Sequence, residues 1–324
     1  MIQVIPPDNK IRNLPFYLAM EEYVAKYLDN RDYFFMWQVN PTVIVGRNQL
    51  IDTEVNTDYC RKNNILVFRR KSGGGCVYSD YKNIMCSYIT PGQGVNGTFN
   101  HYLDRMTGIL RSLGVPAEKS GRNDILTEGR KVSGNSYYKS GGKSIVHGTM
   151  LFNTNLEPLV KSITPSNDKL VSKGIESVRQ RVTNLSEHIN IDIEEFKSYV
   201  LRKMCSESIL LGDEALNIVE SIEQEYHTNN FVHGKNPPYT LTNSIRTAKA
   251  GGVEARIELK NNIIRNIHLY GDFLTGSDIE TTILSRLIGK EHTQQAMSAA
   301  LEGILVDVHI IGLTNTELIN LIVS

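Results

Sequence analysis

The sequence predicts an α/β protein of the α+β type, with a large mixed β-sheet domain flanked by helices and a small α/β C-terminal domain. Short runs rich in β-branched and aromatic residues alternate with longer segments that carry apolar residues at helical spacing. A chain of 324 residues is long enough for about two domains, and its hydrophobic pattern changes near residue 240. We therefore expect one domain at residues 1–240 and a second at residues 241–324.

The helices are predicted from apolar periodicity and from cap residues. The first follows Asn13 and contains an early proline, and Glu21 and Glu22 are expected on the side opposite its apolar face. Gly114 ends the third helix, because glycine readily adopts the backbone conformation that closes a helix. The helices are predicted at residues 14–28, 52–63, 99–113, 192–205, 213–226, 277–288, 293–302 and 314–322.

The strands are predicted from β-rich runs that turn signals separate. Asn40 and Pro41 form the first such turn, and Asn261 and Asn262 turn the chain within a β-hairpin near the C-terminus. The strands are predicted at residues 33–38, 42–45, 65–68, 84–89, 124–126, 131–138 and 145–152, and the hairpin at 253–269.

The overall composition argues against several classes of protein. Hydrophobic residues make up 40% of the chain, which is enough for a sizeable core. Lysine and arginine together number 35, as do aspartate and glutamate, so a nucleic-acid-binding face over the whole surface is not expected. No run of roughly 18 apolar residues predicts a membrane span, and the N-terminus does not resemble a signal peptide. The four cysteines form no C-x-x-C pair, so we expect no zinc site or disulfide framework and favour a cytoplasmic location.

The most distinctive stretch is a run of three glycines, Gly73–Gly75, between the predicted strands at 65–68 and 84–89. Three cations at residues 69–71 precede it, as a local basic patch. Successive glycine N–H groups can form a concave anion site, and Arg70 can bind a phosphate or carboxylate with two parallel hydrogen bonds. The alternative is a flexible hairpin with a solvated basic flank. Neither a P-loop nor a Rossmann motif is present.

Three blocks of sequence, taken together, resemble the lipoate–protein ligase A family. Residues 69–80 fit R-R-x-S-G-G-G-x-V-[FY]-x-D, residues 121–125 read G-R-N-D-I, and residues 131–135 read K-V-S-G-N. The resemblance extends over nearly the whole chain. It includes residues 173–185, which we expect to pack near the active site, and the proline-rich residues 231–239.

The resemblance implies a two-step reaction that uses ATP, Mg²⁺ and lipoate. The lipoate carboxylate attacks the α-phosphate of ATP to give lipoyl-AMP and pyrophosphate, and the ε-amine of an acceptor lysine then attacks the adenylate to give an amide and AMP. The partners implied are lipoyl acceptor domains, either H protein or an H-like protein or the acyltransferase subunits of 2-oxoacid dehydrogenases. Residues 1–240 would form the catalytic domain and residues 241–324 an accessory domain.

The resemblance also implies roles for individual residues. Lys131 would be catalytic, by placing positive charge on the lipoyl carbonyl and the α-phosphate, and Asp124 would bind Mg²⁺. The residues implied to bind ATP or lipoyl-AMP are Arg70, Ser72, Gly73, Gly74, Gly75, Cys76, Val77, Tyr78, Asn83, Asn123, Lys131 and Ser133. His147 either reaches the same pocket or is a hydrogen-bonded strand histidine, and it is not assigned a catalytic role.

Two departures from the family pattern leave other functions open. Ser79 stands where the family commonly has histidine, and Lys82 where it often has glycine. An ATP-independent lipoyl or octanoyl transferase shares the fold, but it uses a cysteine after the lysine motif, where this chain has only Cys205. A biotin ligase lacks support because its G-R-G-R-x-x-R-x-W loop is missing. A non-catalytic binder of lipoyl domains is the remaining alternative, and it would not release pyrophosphate.

Overall fold

The computed structural model describes residues 1–8, 10–92, 94–121, 123–163, 178, 180–234 and 239–324. The strands are β1 (Ile2–Ile5), β2 (Tyr33–Trp37), β3 (Thr42–Val45), β4 (Leu66–Arg69), β5 (Val77–Ser79), β6 (Asn83–Pro91), β7 (Ala117–Ser120), β8 (Asp124–Thr127), β9 (Arg130–Ser140), β10 (Lys143–Leu151), β11 (Glu207–Leu210), β12 (Leu241–Thr247), β13 (Gly251–Lys260) and β14 (Ile263–Gly271). The helices are α1 (Leu14–Tyr27), α2 (Ile51–Glu54), α3 (Thr57–Lys62), α4 (Gly94–Ser112), α5 (Leu156–Ile163), α6 (Ile193–Met204), α7 (Asp213–His227), α8 (Asn229–His233), α9 (Ser285–Leu287, which continues a π-helical turn at Glu280–Leu284), α10 (Gln294–Ala300), α11 (Val306–His309) and α12 (Asn315–Val323). None of the described helices combines the length and apolar character needed to cross a bilayer.

An eight-stranded mixed sheet with helices on both faces forms the main body, which confirms the predicted fold class. Its strand order is β11-β1-β2-β6-β10-β9-β8-β7, with parallel pairing of β1 to β11 and β2 and antiparallel pairing elsewhere. Side chains of β2 alternate between two cores, as the period of a strand requires. Tyr33 and Phe35 join the core under α1 and α7, whereas Phe34 joins the core under α4 and α6.

A second, three-stranded sheet carries the glycine run. β3 lies in its centre, parallel to β4 and antiparallel to β5, so β4 and β5 do not pair with each other. The glycine run therefore passes over the end of β3 and is not the turn of a hairpin. This sheet covers α2 and α3 with its own small core, which includes Val43, Val45 and Tyr78.

The structure corrects two predictions near the N-terminus. Glu21 and Glu22 are 0% and 1% exposed, because α1 is packed between the large sheet and α7 and leaves little of its surface in water. The helix predicted at residues 52–63 is broken into α2 and α3, because Val55 adopts an extended conformation and the Asn56 side chain accepts a hydrogen bond from Tyr59 N to start α3.

The C-terminal part has a separate core. β12, β13 and β14 form an antiparallel sheet that packs against α9, α10 and α12. The predicted hairpin is confirmed: Asn261 and Asn262 both have positive φ, as a two-residue hairpin turn requires. The two parts of the chain meet at the glycine run and at Asn48, whose carbonyl accepts a hydrogen bond from Gly271 N at 2.8 Å.

Candidate active site

A cavity of about 260 Å³ lies between the glycine run, α1, β9 and β10. Its wall is mainly apolar, with contributions from Leu14, Leu18, Trp37, Ile44, Val77 and Met85. Polar side chains are fewer and come from Arg70, Tyr78, Asn123, Lys131, Asn135, Ser136, His147 and Thr149. An apolar cavity with a small number of placed polar groups is typical of a binding site for a small, mostly apolar molecule.

The cavity brings together most of the predicted site residues. The predicted residues that line it are Arg70, Gly74, Gly75, Cys76, Val77, Tyr78, Asn123 and Lys131. The predicted residues outside its wall are Ser72, Gly73, Asn83, Asp124 and Ser133. Asn83 is fully buried and donates to Tyr78 O at 3.2 Å, so it supports β5 from behind. Within the stretch 173–185, Val182 lines the cavity, whereas residues 173–177 and 179 lie outside the described part of the chain.

The glycine run packs backbone against backbone. Gly74 has a φ of +85°, and its N–H donates to the carbonyl oxygen of Phe273 at 3.1 Å. A Cβ atom on Gly73 would lie 2.4 Å from that same oxygen, and one on Gly46 would lie 2.0 Å from Gly74 O. Only glycine permits such close contacts. The C-terminal part of the chain thus rests directly on the predicted anion-binding loop.

Arg70 organises this loop from the inside. Its Nη2 donates to the carbonyl oxygens of Gly73 and Gly75 at 2.7 and 2.8 Å, and its Nη1 donates to Ile44 O at 3.0 Å. Burial lowers the pKa of Arg70 to about 10, so the guanidinium is still charged at neutral pH. Most of the N–H groups of Arg70 thus donate to backbone carbonyl oxygens of the protein itself.

The prediction of a local basic patch at residues 69–71 is wrong. Arg69 is buried and donates to Gly46 O and Gln49 O, both at 2.7 Å. Lys71 lies 2.7 Å from both Glu22 and Glu225. These three cations hold the loop to its surroundings and do not form an open positive surface.

Lys131 lies near the start of β9, with its ammonium 2.9 Å from Asp124 Oδ1 on the neighbouring strand β8. Both side chains are about one-third exposed, so the lysine is accessible from the cavity. Its side chain folds back over Gly134, where a Cβ atom would lie 2.6 Å from Lys131 Nζ. The glycine in K-V-S-G-N therefore makes room for the lysine of the same motif.

Side-chain hydrogen bonds connect the block G-R-N-D-I with the block K-V-S-G-N. Asn123 Nδ2 donates to Asn135 O at 2.5 Å, and Asn135 Nδ2 donates to Asn123 O at 2.9 Å and to Ser133 Oγ at 3.1 Å. This reciprocal pair fixes the turn before β8 against β9. The Ser133 hydroxyl accepts one of these hydrogen bonds, and Ser133 does not line the cavity.

Asp124 can supply one hard oxygen ligand of the kind that Mg²⁺ prefers. No group of three or more histidine, cysteine, aspartate or glutamate side chains with metal-binding geometry occurs among the residues that the structure describes. An ion held by Asp124 would thus take its other ligands from water and from the phosphates of a nucleotide, as is usual for Mg²⁺.

Sequence reasoning missed the polar network behind the cavity wall. His147 lines the cavity and is buried, and its Nδ1 lies 2.9 Å from Glu21 Oε2. The available signal was the pair Glu21-Glu22 in a helix whose other residues, apart from Lys26, carry no charge, because buried acids need partners.

Comparison with known proteins shows the family to which the chain belongs. A family model described as the lipoyl protein ligase A/B catalytic domain matches residues 13–205, and one described as the bacterial lipoate protein ligase C-terminus matches residues 236–322. The chain belongs to the lipoate–protein ligase family, which confirms the resemblance found in the sequence.

Individual relatives agree over almost their full length. The chain is 34% identical to "Lipoate-protein ligase LplJ" of Bacillus subtilis over 97% of this chain and 98% of that protein. It is 36% identical to "Lipoate--protein ligase 1" of Staphylococcus aureus over 90% of this chain and 92% of that protein.

Solved structures share the fold at lower identity. P. falciparum LipL1 in complex with lipoate aligns with a TM-score of 0.79 at 17% identity, over 100% of this chain and 98% of that one. A bi-partite lipoate protein ligase from Thermoplasma acidophilum, studied with its E2 lipoyl domain, gives 0.66 at 22% identity, over 74% of this chain and 98% of that one. A lipoate-protein ligase A bound with ATP gives 0.59 at 21% identity, over 71% of this chain and 96% of that one.

Proposed function

We propose that this protein is an ATP-dependent lipoate–protein ligase. The observation that carries the proposal is the cavity itself, where an apolar wall, the glycine loop and Lys131 meet in one space. The apolar wall suits the acyl chain of lipoate, and the ammonium of Lys131 suits its carboxylate and the α-phosphate of ATP. Family membership over nearly the whole chain supports the same function.

The residues would divide the work as follows. Lys131 offsets the negative charge that develops when the lipoate carboxylate attacks the α-phosphate and pyrophosphate leaves. Gly74 and Gly75 offer backbone donors to phosphate oxygens, and Arg70 keeps their loop in shape. The adenylate would contact Cys76, Val77, Tyr78 and Asn123. Mg²⁺, held by Asp124 and phosphate oxygens, would offset part of the phosphate charge when bound.

The accessory domain would have to move during the reaction. We place this domain at residues 241–324 and the catalytic domain at residues 1–240. Gly74 N donates to Phe273 O in the present structure, so it is available to a phosphate only after that carbonyl withdraws. The expected motion would thus accompany binding of ATP or formation of lipoyl-AMP.

The acceptors that we propose are lipoyl domains of 2-oxoacid dehydrogenase acyltransferase subunits or H protein. Their lysine ε-amine would attack the lipoyl-AMP carbonyl, so that an amide forms and AMP leaves. The pairing of a Thermoplasma ligase with its E2 lipoyl domain supports this class of partner. The four cysteines are free, in keeping with the reducing cytoplasm where we place the protein.

The transferase alternative has little support from the thiols. Cys205 caps the end of α6 and packs against the core under α4, away from the cavity wall. Cys76 does line the cavity, but burial raises the pKa of its thiol to about 12, so little thiolate exists at neutral pH.

The experiment that tests activation is lipoate-dependent release of pyrophosphate from ATP by the purified protein with Mg²⁺. We expect release only when lipoate and ATP are both present. A protein that binds lipoyl domains without catalysis would release none, and an ATP-independent transferase would release none while still moving a lipoyl group between proteins.

A further inference from the structure

A chain of buried hydrogen bonds starts at the apolar side of the cavity. Trp37 Nε1 donates to Ser87 Oγ at 2.8 Å, and Ser87 Oγ donates to Glu21 Oε1 at 2.5 Å. Tyr138 OH donates to the other carboxylate oxygen, Oε2, at 3.0 Å. Glu21 is 0% exposed and so depends entirely on these protein partners.

The chain continues from Glu21 to the glycine loop. His147 Nδ1 lies 2.9 Å from Glu21 Oε2, and His147 Nε2 lies 2.6 Å from Ser72 Oγ. Arg70 Nε donates to the same Ser72 oxygen at 3.0 Å, and Arg70 also holds the carbonyls of the glycine run. Three side chains of the cavity wall from separate elements, Trp37, Arg70 and His147, are thus tied together through Glu21.

The directions of these bonds place a proton on Nδ1 of His147. Burial, and then the nearby Glu21 carboxylate, raises the pKa of Tyr138 well above its ordinary value, so its hydroxyl is a donor. Glu21 therefore accepts from Ser87, Tyr138 and His147, and Nδ1 of the imidazole carries a proton. Ser72 Oγ, which lies 2.6 Å from Nε2 of the same ring, accepts from Arg70 Nε.

The same chain joins two buried opposite charges. Arg70 is 5% exposed, and within the described part of the chain its side chain donates to carbonyl and hydroxyl oxygens and contacts no carboxylate. Glu21 supplies a negative charge at the far end of the His147–Ser72 bridge. A buried charge is costly unless it is hydrogen-bonded and offset, so both ends of the bridge depend on its continuity.

We infer that Glu21 is a positioning residue of the active site, which fixes His147 as the Nδ1–H tautomer and, through Ser72 and Arg70, holds the glycine loop against the acyl wall. The inference rests on the proposed function only in taking this wall as the lipoate site. Glu21 itself does not line the cavity and is not assigned contact with substrate.

The chain offers a matched control in the next residue. Glu22 is also buried, at 1% exposure, but its partners are Lys26, Lys71 and Tyr226 at 2.6, 2.7 and 2.6 Å. None of these partners lines the cavity. Glu22→Gln removes a buried charge from the same helix without breaking the chain to His147.

The first test is the tautomer of His147, read from its imidazole ¹⁵N signals in the full-length protein and assigned by their loss in H147Q. The parent, E22Q and S72A should show a protonated Nδ1, whereas E21Q should lose that signature, because Nδ1 lies 3.0 and 2.9 Å from the two carboxylate oxygens and the amide replaces one of them by an N–H donor. An unchanged His147 spectrum in folded E21Q would overturn the inference. If E21Q does not fold, S72A decides: loss of the Nδ1–H signature there would assign control to Ser72 and equally overturn it.

The second test is a double-mutant cycle on kcat/KM for lipoate-dependent pyrophosphate release. E21Q should lower this constant by roughly tenfold or more, as expected when a carboxylate that sets a histidine tautomer is removed, and E22Q by less than about twofold. Because Glu21 and Ser72 act in one chain, E21Q/S72A should be no worse than the poorer single variant, whereas E22Q/S72A should be additive. Additivity of E21Q with S72A would contradict the inference. A parent protein without pyrophosphate release would refute the proposed function instead, and the tautomer measurement would still decide the role of Glu21.

Discussion

Lys131 takes its position from Gly134, three residues further along β9. The lysine side chain occupies the space that a Cβ atom at residue 134 would need, and there its ammonium reaches Asp124. The motif K-V-S-G-N therefore has a direct physical meaning, since the lysine side chain can lie flat along the strand only where residue 134 has no Cβ atom. The proposed chemistry would depend on this placement, because positive charge must be fixed near the developing charge before the reaction.

Gly134→Ala should reduce activity much more than stability. The new Cβ would lie 2.6 Å from the flexible end of Lys131, which can swing away at little cost to folding. A displaced ammonium should lower kcat for pyrophosphate release by roughly 10- to 100-fold, as expected for a misplaced catalytic group. Thermal unfolding should shift little. Full activity of this variant would show that Lys131 works from another position.

Cys76→Ala should retain ligase activity. The thiol lines the cavity, but burial raises its pKa to about 12, so at pH 7 to 8 it remains protonated and weakly nucleophilic. We expect pyrophosphate release within about twofold of the parent, in keeping with a supporting role for its side chain. Complete loss of lipoyl transfer in a folded C76A protein would instead indicate a thioester route.

At this scale the sequence predicts residues whose motif is local, and it misses those whose role depends on distant partners. Lys131 and the glycines belong to short blocks that can be identified from the sequence alone. Glu21 was predicted to lie opposite the apolar face of its helix, and it is instead buried by contacts with Ser87, Tyr138 and His147. Each of these three partners is more than 60 residues from Glu21 in the sequence, so no local pattern contains this information.

The glycine run is the element on which the site depends. It joins two strands that flank β3, so its shape is fixed by that small sheet, by Arg70 from inside and by Phe273 from outside. The glycines allow close contact with other backbone atoms in the present state. In the proposed liganded state, backbone N–H groups of the same run would be offered to phosphate.

Gly73→Ala should destabilise the protein, because its Cβ would lie 2.4 Å from the backbone oxygen of Phe273, which cannot move alone. We expect the free energy of unfolding to fall by about 1–3 kcal/mol, the usual cost of overpacking. Gly108→Ala is the matched control: Gly108 lies in α4 with open space around it, and alanine there should stabilise by about 0.5–1 kcal/mol. Thermal or urea unfolding measures both. Equal stability of G73A and the parent would mean that the loop does not rest on Phe273 in solution.

Long amphipathic elements were predicted well, whereas short strands were not. α4 and the strands β9 and β10 carry clear periodicity over many residues. The predicted strands do not include β1, β5, β7, β11 and β12. Three of these, β1, β7 and β11, have four residues each and are strands mainly because neighbours pair with them, as β11 does with β1.

For the whole molecule, the proposed reaction depends on the relation between its two parts. The C-terminal part has its own core and contacts the main body through Phe273, Gly271, the ion pair of Arg47 with Asp278 at 3.2 Å, and Leu274, which is buried in the core under α4. That ion pair is exposed and contributes little to stability. The proposed separation of the two parts would withdraw Leu274 from that core, and it would free Gly74 N for a phosphate.

Cross-linking the two parts should block activation. Arg47→Cys with Asp278→Cys, joined by a short bifunctional maleimide, would keep Phe273 O on Gly74 N. We expect loss of lipoate-dependent pyrophosphate release in the cross-linked protein. The double variant without reagent and each single variant with reagent should stay active, and intact mass should confirm that the link is at these sites. An unchanged rate in the cross-linked protein would show that no domain motion is needed.

The most direct test of the ligase assignment is the intact mass of lipoyl acceptor domains after incubation with this protein, lipoate, ATP and Mg²⁺. We predict that at least one H protein or acyltransferase lipoyl domain gains one lipoyl group, that the gain requires ATP, and that Lys131→Ala lowers its rate by about 100-fold or more. A gain that occurs without ATP, from a lipoylated donor protein, would contradict the account and make this chain a transferase.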